Sequence, residues 1–146
     1  MRQTARDRKH EVPMDKHATE QASVLLRRLA FQANRTSRQQ DAVAVHDLRV
    51  SVRRLTQCLR AFSQFFPGGT AKKVRQKLDG WLDLASEVRN RDIAIELLGK
   101  AAIPPGSPVV RKLTEEREAA ERVLVAALKR WSRRGIHKKW RSRLDL

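Results

Sequence analysis

Apolar residues return every three or four positions in four successive stretches of this chain, and strand-like alternation never persists, so helices are the only regular element it can build. In the first stretch, Ala18, Ala22, Leu25, Leu29 and Ala33 put small and aliphatic groups on one side of a helix from Asp15 to about Arg35. The polar "NRTSRQQD" then leads to Asp41, whose carboxylate suits an N-cap, and a second helix continues to about Phe66, where "PGG" stops it. Thr70 is the expected cap of a third helix, with Val74, Leu78, Trp81, Leu82 and Ala85 on its apolar side. Gly80 weakens this helix without breaking it, so one long element through "SEVRNRD" to Leu98 is expected. The prolines and glycine of "IPPGSP", residues 103–108, make a loop. A fourth helix from about Val109 buries Leu113, Ala120, Leu124, Ala127, Leu128 and Trp131. Gly135 interrupts it, and "IHKKWRSRL" forms a short basic terminal helix.

These elements predict an all-α fold. Short connections between long amphipathic helices favour antiparallel neighbours, hence an antiparallel four-helix bundle with a short C-terminal basic helix. At 146 residues the chain has length for one core. Residues 1–14 are polar, mixed in charge and interrupted by Pro13, and read as a flexible tail; residues 15–146 read as the helical bundle. No apolar run approaches the roughly 20 residues of a membrane span, and the amino terminus lacks the apolar centre of a signal peptide. No membrane partner and a cytoplasmic location are therefore expected. The single cysteine, Cys58, excludes an intramolecular disulfide and reads as a buried, inert thiol.

Lysine and arginine total 32 against 16 acidic residues, a formal charge of +16, which points to a polyanionic partner. Nucleic acid, an anionic membrane surface and a phosphate polymer all supply the right sign. The second helix concentrates this charge. With His46 set at zero, Arg49, Arg53, Gln57, Arg60 and Gln64 fall within an arc of roughly 80°. Val45, Leu48, Val52, Leu55, Leu59 and Phe66 cluster on the opposite side, and Arg54 stands on the flank. Guanidinium is planar, permanently charged and able to pair bidentately with phosphate oxygens, so a helix that repeats it each turn suits a chain of phosphates. His46 adds a further donor, and a nearby phosphate favours its protonated form. An ordinary solvated face is the competing explanation. Such faces intersperse carboxylates at i+3 or i+4, whereas no acidic residue lies between Arg49 and Arg75.

The stretch "DAVAVHDLRVSVRRL" resembles the signature of the CHAD domain family, the conserved histidine α-helical domain, and the "RD" of Arg91 and Asp92 resembles its second motif. The first helix, ending "FQANR", and the long third helix also have the family's order, and the resemblance covers about residues 18–144. Two positions depart from it: Thr56 stands where the family often has another arginine, and "ASEVRN" stands where Leu-Gly often precedes Arg-Asp. CHAD domains of the usual length hold two helical bundles around a basic channel and bind inorganic polyphosphate, often fused to a triphosphatase. The resemblance therefore implies one half of such a domain, either working alone or, preferably, as a homodimer whose copies replace the two halves. By motif position it implies that His46, Arg49, Arg53 and Arg54 face polyphosphate, that Arg91 joins them, and that Asp92 orients an arginine. Arg60 extends the strip by geometry. Association with polyphosphate granules would follow.

Lys72, Lys73, Lys138 and Arg141 are accessory anion-binding candidates, together with Lys77, Arg133, Arg134 and Lys139, although each taken singly reads as solubilising charge. Trp81 and Trp131 lie on apolar stripes and are expected in the core, while Trp140, among basic residues, is open between core packing and base stacking. His10, His17 and His137 lack metal-ligand spacing and nothing resembles HExxH, so neither metal nor cofactor is expected. Nucleic-acid binding is one alternative function, but the basic strip carries few base-reading Asn or Gln and no short helix-turn-helix connection precedes it. Phosphotransfer through His46 is another. It needs an acid–base partner and magnesium-binding carboxylates, yet Asp47, the one adjacent carboxylate, points about 100° away. The sequence reading is a non-enzymatic polyphosphate-binding module.

Overall fold

A computed structural model describes residues 13–146 and contains α1 (Met14–Arg38), α2 (Ala42–Ala61), a 3-10 turn (Ser63–Phe65), α3 (Gly68–Lys100), α4 (Pro108–Arg133) and α5 (Ile136–Arg143). Among the described residues there is no strand. Most of the expected flexible tail, residues 1–12, lies outside the described residues, and Met14 already opens α1. Asp41 caps α2 as expected, its side chain accepting from the Ala44 N–H at 2.8 Å.

Three boundaries differ from the sequence reading. α1 runs on to Arg38. α2 stops at Ala61 instead of Phe66, because the chain tightens into the 3-10 turn that swings Phe66 into the core, with Phe62 and Phe65 packed beside it. Thr70 is not a cap: α3 begins two residues earlier, after Pro67, whose φ of −54° is already close to helical. Once started, α3 continues unbroken for 33 residues, with Gly80 at an exposed position inside it. It ends with Ala102 in the left-handed region at φ 59°, where the Ile103 N–H reaches the Leu98 carbonyl and the Ala102 N–H that of Gly99. Gly135, at φ 61°, makes the same left-handed turn between α4 and α5, at the interruption expected from its lack of a side chain.

α1 packs on α2 and α4, α2 packs on α3, and α3 packs on α4, while α5 folds back onto α4 and α1. The shared core is built from Leu26, Leu29, Leu48, Leu55, Leu78 and Leu124, all fully buried. Leu26 takes the central place on α1, and Leu25, expected there, is only half-buried. At one end Trp81, Trp131 and Trp140 form a cluster, with ring centroids 5.1 Å apart for Trp81–Trp131 and 5.5 Å for Trp131–Trp140. That assigns Trp140 to the core, at 6 % exposure, and leaves none of the three indoles free to stack on a base. Arg117 ties the layers together: from α4 it donates to Asp92 on α3, to Glu121 on its own helix, and at 2.8 Å to the Gln40 carbonyl ahead of α2. Burial works against the Arg117 charge, but the hydrogen bonds and charges of Asp92 and Glu121 outweigh it and raise the pKa.

Candidate polyanion site on α2 and α3

The apolar stripe of α2 fixes the direction of its basic strip. Val45, Leu48, Val52, Leu55 and Leu59 are all buried, so the opposite arc that carries His46, Arg53 and Arg60 is driven outward, and all three are exposed. Arg49 sits at the edge of this arc, half-buried where α2 meets α3. Burial, followed by the guanidinium charges of Arg53 and Arg89, lowers its pKa. Its Nε is buried without a hydrogen-bond partner. Among the described residues, none of His46, Arg49, Arg53, Arg54 and Arg60 forms an ion pair with a carboxylate.

Arg89 is a member of this cluster that sequence reasoning missed. The motif pointed to Arg91, which lies about 200° around α3 from Arg89. Arg91 instead pairs with Glu87 one turn before it and, at 3.6 Å, with Glu116 of α4. Its charge is therefore neutralised on the α3–α4 seam, whereas that of Arg89 is felt at Arg49. The available signal was spacing: Arg89 follows Arg75 by fourteen residues, which returns to within about 40° of the same side of a helix. The Arg75 Nε is likewise buried without a partner.

Arg54 stands off the strip, on the α1 side, in a surface cavity shared with Arg27, Arg28, Phe31 and Asp47. Asp47 turns the same way and accepts from Arg35 of α1 at 2.8 Å. Asp92 does orient an arginine, but that arginine is Arg117, away from the strip. Thr56, which stands where the family often has another arginine, is buried.

The accessory candidates fall in separate places. Lys72 is exposed on α3, Lys73 lines a cavity against α5, and Lys138 lines another beside Ala30, Asn34 and His137. Arg141, with Lys138, lowers the pKa of His137 after the larger effect of burial. Cys58 is buried, and that burial pushes its thiol pKa up, away from the thiolate. Among the described residues, no group of three or more His, Cys, Asp or Glu side chains is placed to hold a metal ion, and no helix is long and apolar enough to cross a membrane.

This arrangement can hold an extended anion. Donors from His46 to Arg60 repeat along about four turns of α2, a second helix adds Arg89 beside Arg49, and no carboxylate between Arg49 and Arg75 competes for them. A family model described as the CHAD domain matches residues 20–145. No curated protein and no solved structure matches the chain.

Proposed function

The chain belongs to the CHAD domain family, and on that premise we propose that its α2–α3 strip holds inorganic polyphosphate without enzymatic turnover. CHAD domains are associated with polyphosphate binding. The observation that carries the reading to these residues is the like-charged contact at Arg49. Beside the larger effect of burial, the guanidinium charges of Arg53 and Arg89 act against that of Arg49, at a place where, among the described residues, no carboxylate pairs with any of the three. A polyphosphate chain would supply the missing counter-charge and satisfy the guanidinium forks at the same time.

His46, exposed at the start of the strip, serves as a hydrogen-bond donor to phosphate, and Arg60 extends the track toward the other end of α2. Arg54 and Arg91, implied by the motif, act at its margins at most. The helices form one antiparallel bundle, equivalent to half of a full-length CHAD domain, and two copies pair so that their strips face a common channel. The protein works in the cytoplasm, at polyphosphate granules. Titration of long-chain polyphosphate, followed by solution mass with and without it, tests this: tight binding by a dimer supports the paired channel, and tight binding by a monomer removes it.

A further inference from the structure

The end of the molecule where α3 begins and α5 lies carries a second group of cations. Lys73 and Lys77, one turn apart on α3, line a cavity of 620 Å³ together with Arg134, Lys139 and Arg143. Lys77 follows Arg75 by two residues, about 200° around α3, so this cavity opens away from the α2 strip. No acidic side chain lines it, and among the described residues none of the five cations pairs with a carboxylate. The α3–α4 seam shows the opposite pattern, for there Arg91 and Arg117 are each held by two carboxylates.

Two further features favour an anion here. α3 starts without a side-chain cap and without an acidic residue in its first turn, which instead contains Thr70 and, just after it, Lys72 and Lys73. Cations at a helix N-terminus oppose the macrodipole, and the first amide hydrogens lack helix carbonyls to bond. Thr70 is itself among the residues that line the cavity. The floor, by contrast, is fixed: Val74 and Trp140 belong to the buried core, and Ile136 packs against it. A floor of core residues in a cavity lined by five cations, within the roughly 300–1,000 Å³ typical of small-ligand sites, suits a compact anion larger than one phosphate.

We propose that the cavity bounded by Lys73, Lys77, Arg134, Lys139 and Arg143 binds a compact triphosphate group, independently of the α2–α3 strip. The triphosphate is either free and inorganic or borne by a nucleotide. The test uses the full chain carrying Arg49→Ala with Arg53→Ala, so that the strip is disabled, and calorimetric titration of sodium tripolyphosphate and of ATP at fixed ionic strength. Retained binding of at least one is expected, and adding Lys77→Gln with Lys139→Gln should weaken it by at least about tenfold, because charge-assisted hydrogen bonds are lost. Similar affinity for both probes identifies the phosphates alone as the ligand, and markedly tighter ATP binding identifies a nucleotide. An unchanged helical circular dichroism melt shows that the variant still folds. Absence of binding in the strip-disabled protein, or binding indifferent to the two lysines, overturns the proposal. Neither result bears on long-chain polyphosphate at the strip, which is read from the wild-type chain.

Discussion

Asp47 accepts a hydrogen bond from Arg35 at 2.8 Å across the α1–α2 contact, which takes the one carboxylate beside His46 in sequence away from the basic strip. His46 is left exposed, with Arg49 and Arg53 following at one-turn intervals. The pair itself is partly solvated, with side chains about one-third exposed, so Asp47→Asn is expected to change stability by no more than about 1 kcal/mol. Its polyphosphate affinity should stay within about twofold of wild type, since the carboxylate neither helps nor hinders the strip. A chemical melt and a polyphosphate titration check both statements; a large loss of affinity would show that Asp47 supports the site after all.

Removing Arg49 and Arg53 together should weaken polyphosphate binding far more than removing Lys138 and Lys139, although the net charge change is the same. Each guanidinium lost removes bidentate contacts, a loss of about tenfold or more per residue at low salt. Arg89→Ala should weaken binding as well, and more than Arg91→Ala, because Arg91 already spends its charge on Glu87 and Glu116. Affinities measured at one ionic strength decide this, and equal losses for the two double variants, together with equal losses for the two single ones, would mean that charge matters but place does not.

Arg117→Met should destabilise the fold by about 1–3 kcal/mol, because it strands Asp92 and Glu121, each about four-fifths buried, and removes the donor to the Gln40 carbonyl. Urea unfolding measures it. Pairing Arg117→Met with Asp92→Asn should recover part of the loss, since the second change removes the stranded charge.

His137 sets a pH dependence of stability. Burial, then the charges of Arg141 and Lys138, hold its folded pKa below the ordinary histidine value near 6.5. The unfolded chain therefore binds more protons in that range, so the contribution is fully present above about pH 6.5 and is lost as pH falls through and below it. Thermal melts from pH 8 to pH 5 should show a steeper decline for wild type than for His137→Gln. Parallel declines would contradict the assignment.

Local chemistry made most of the fold legible in the sequence. Asp41, Gly135 and the prolines before α4 act through their own backbone or side chain, and the apolar spacing of α2 fixes both its buried face and its strip. What escaped was tertiary. Arg89 and Arg91 are two residues apart and chemically identical, and only the packing of α3 between α2 and α4 decides which one reaches Arg49. The cavity at α5 escaped for the same reason: Lys73, Lys77, Arg134 and Lys139 were legible singly as accessory anion-binding candidates, but Arg143 was not, and the five come together only when Gly135 turns α5 back onto the other helices. The early end of α2 depended on where Phe66 could be buried, which no local signal states.

Competition at fixed ionic strength between long-chain polyphosphate and random-sequence DNA, matched in phosphate concentration, tests the strip most directly. Close donor spacing along α2 with few base-reading Asn or Gln side chains predicts that polyphosphate displaces DNA, and that the preference shrinks when Arg49 and Arg53 are replaced by alanine. Equal affinity for the two polymers would contradict a polyphosphate site and leave a general polyanion-binding helix in its place.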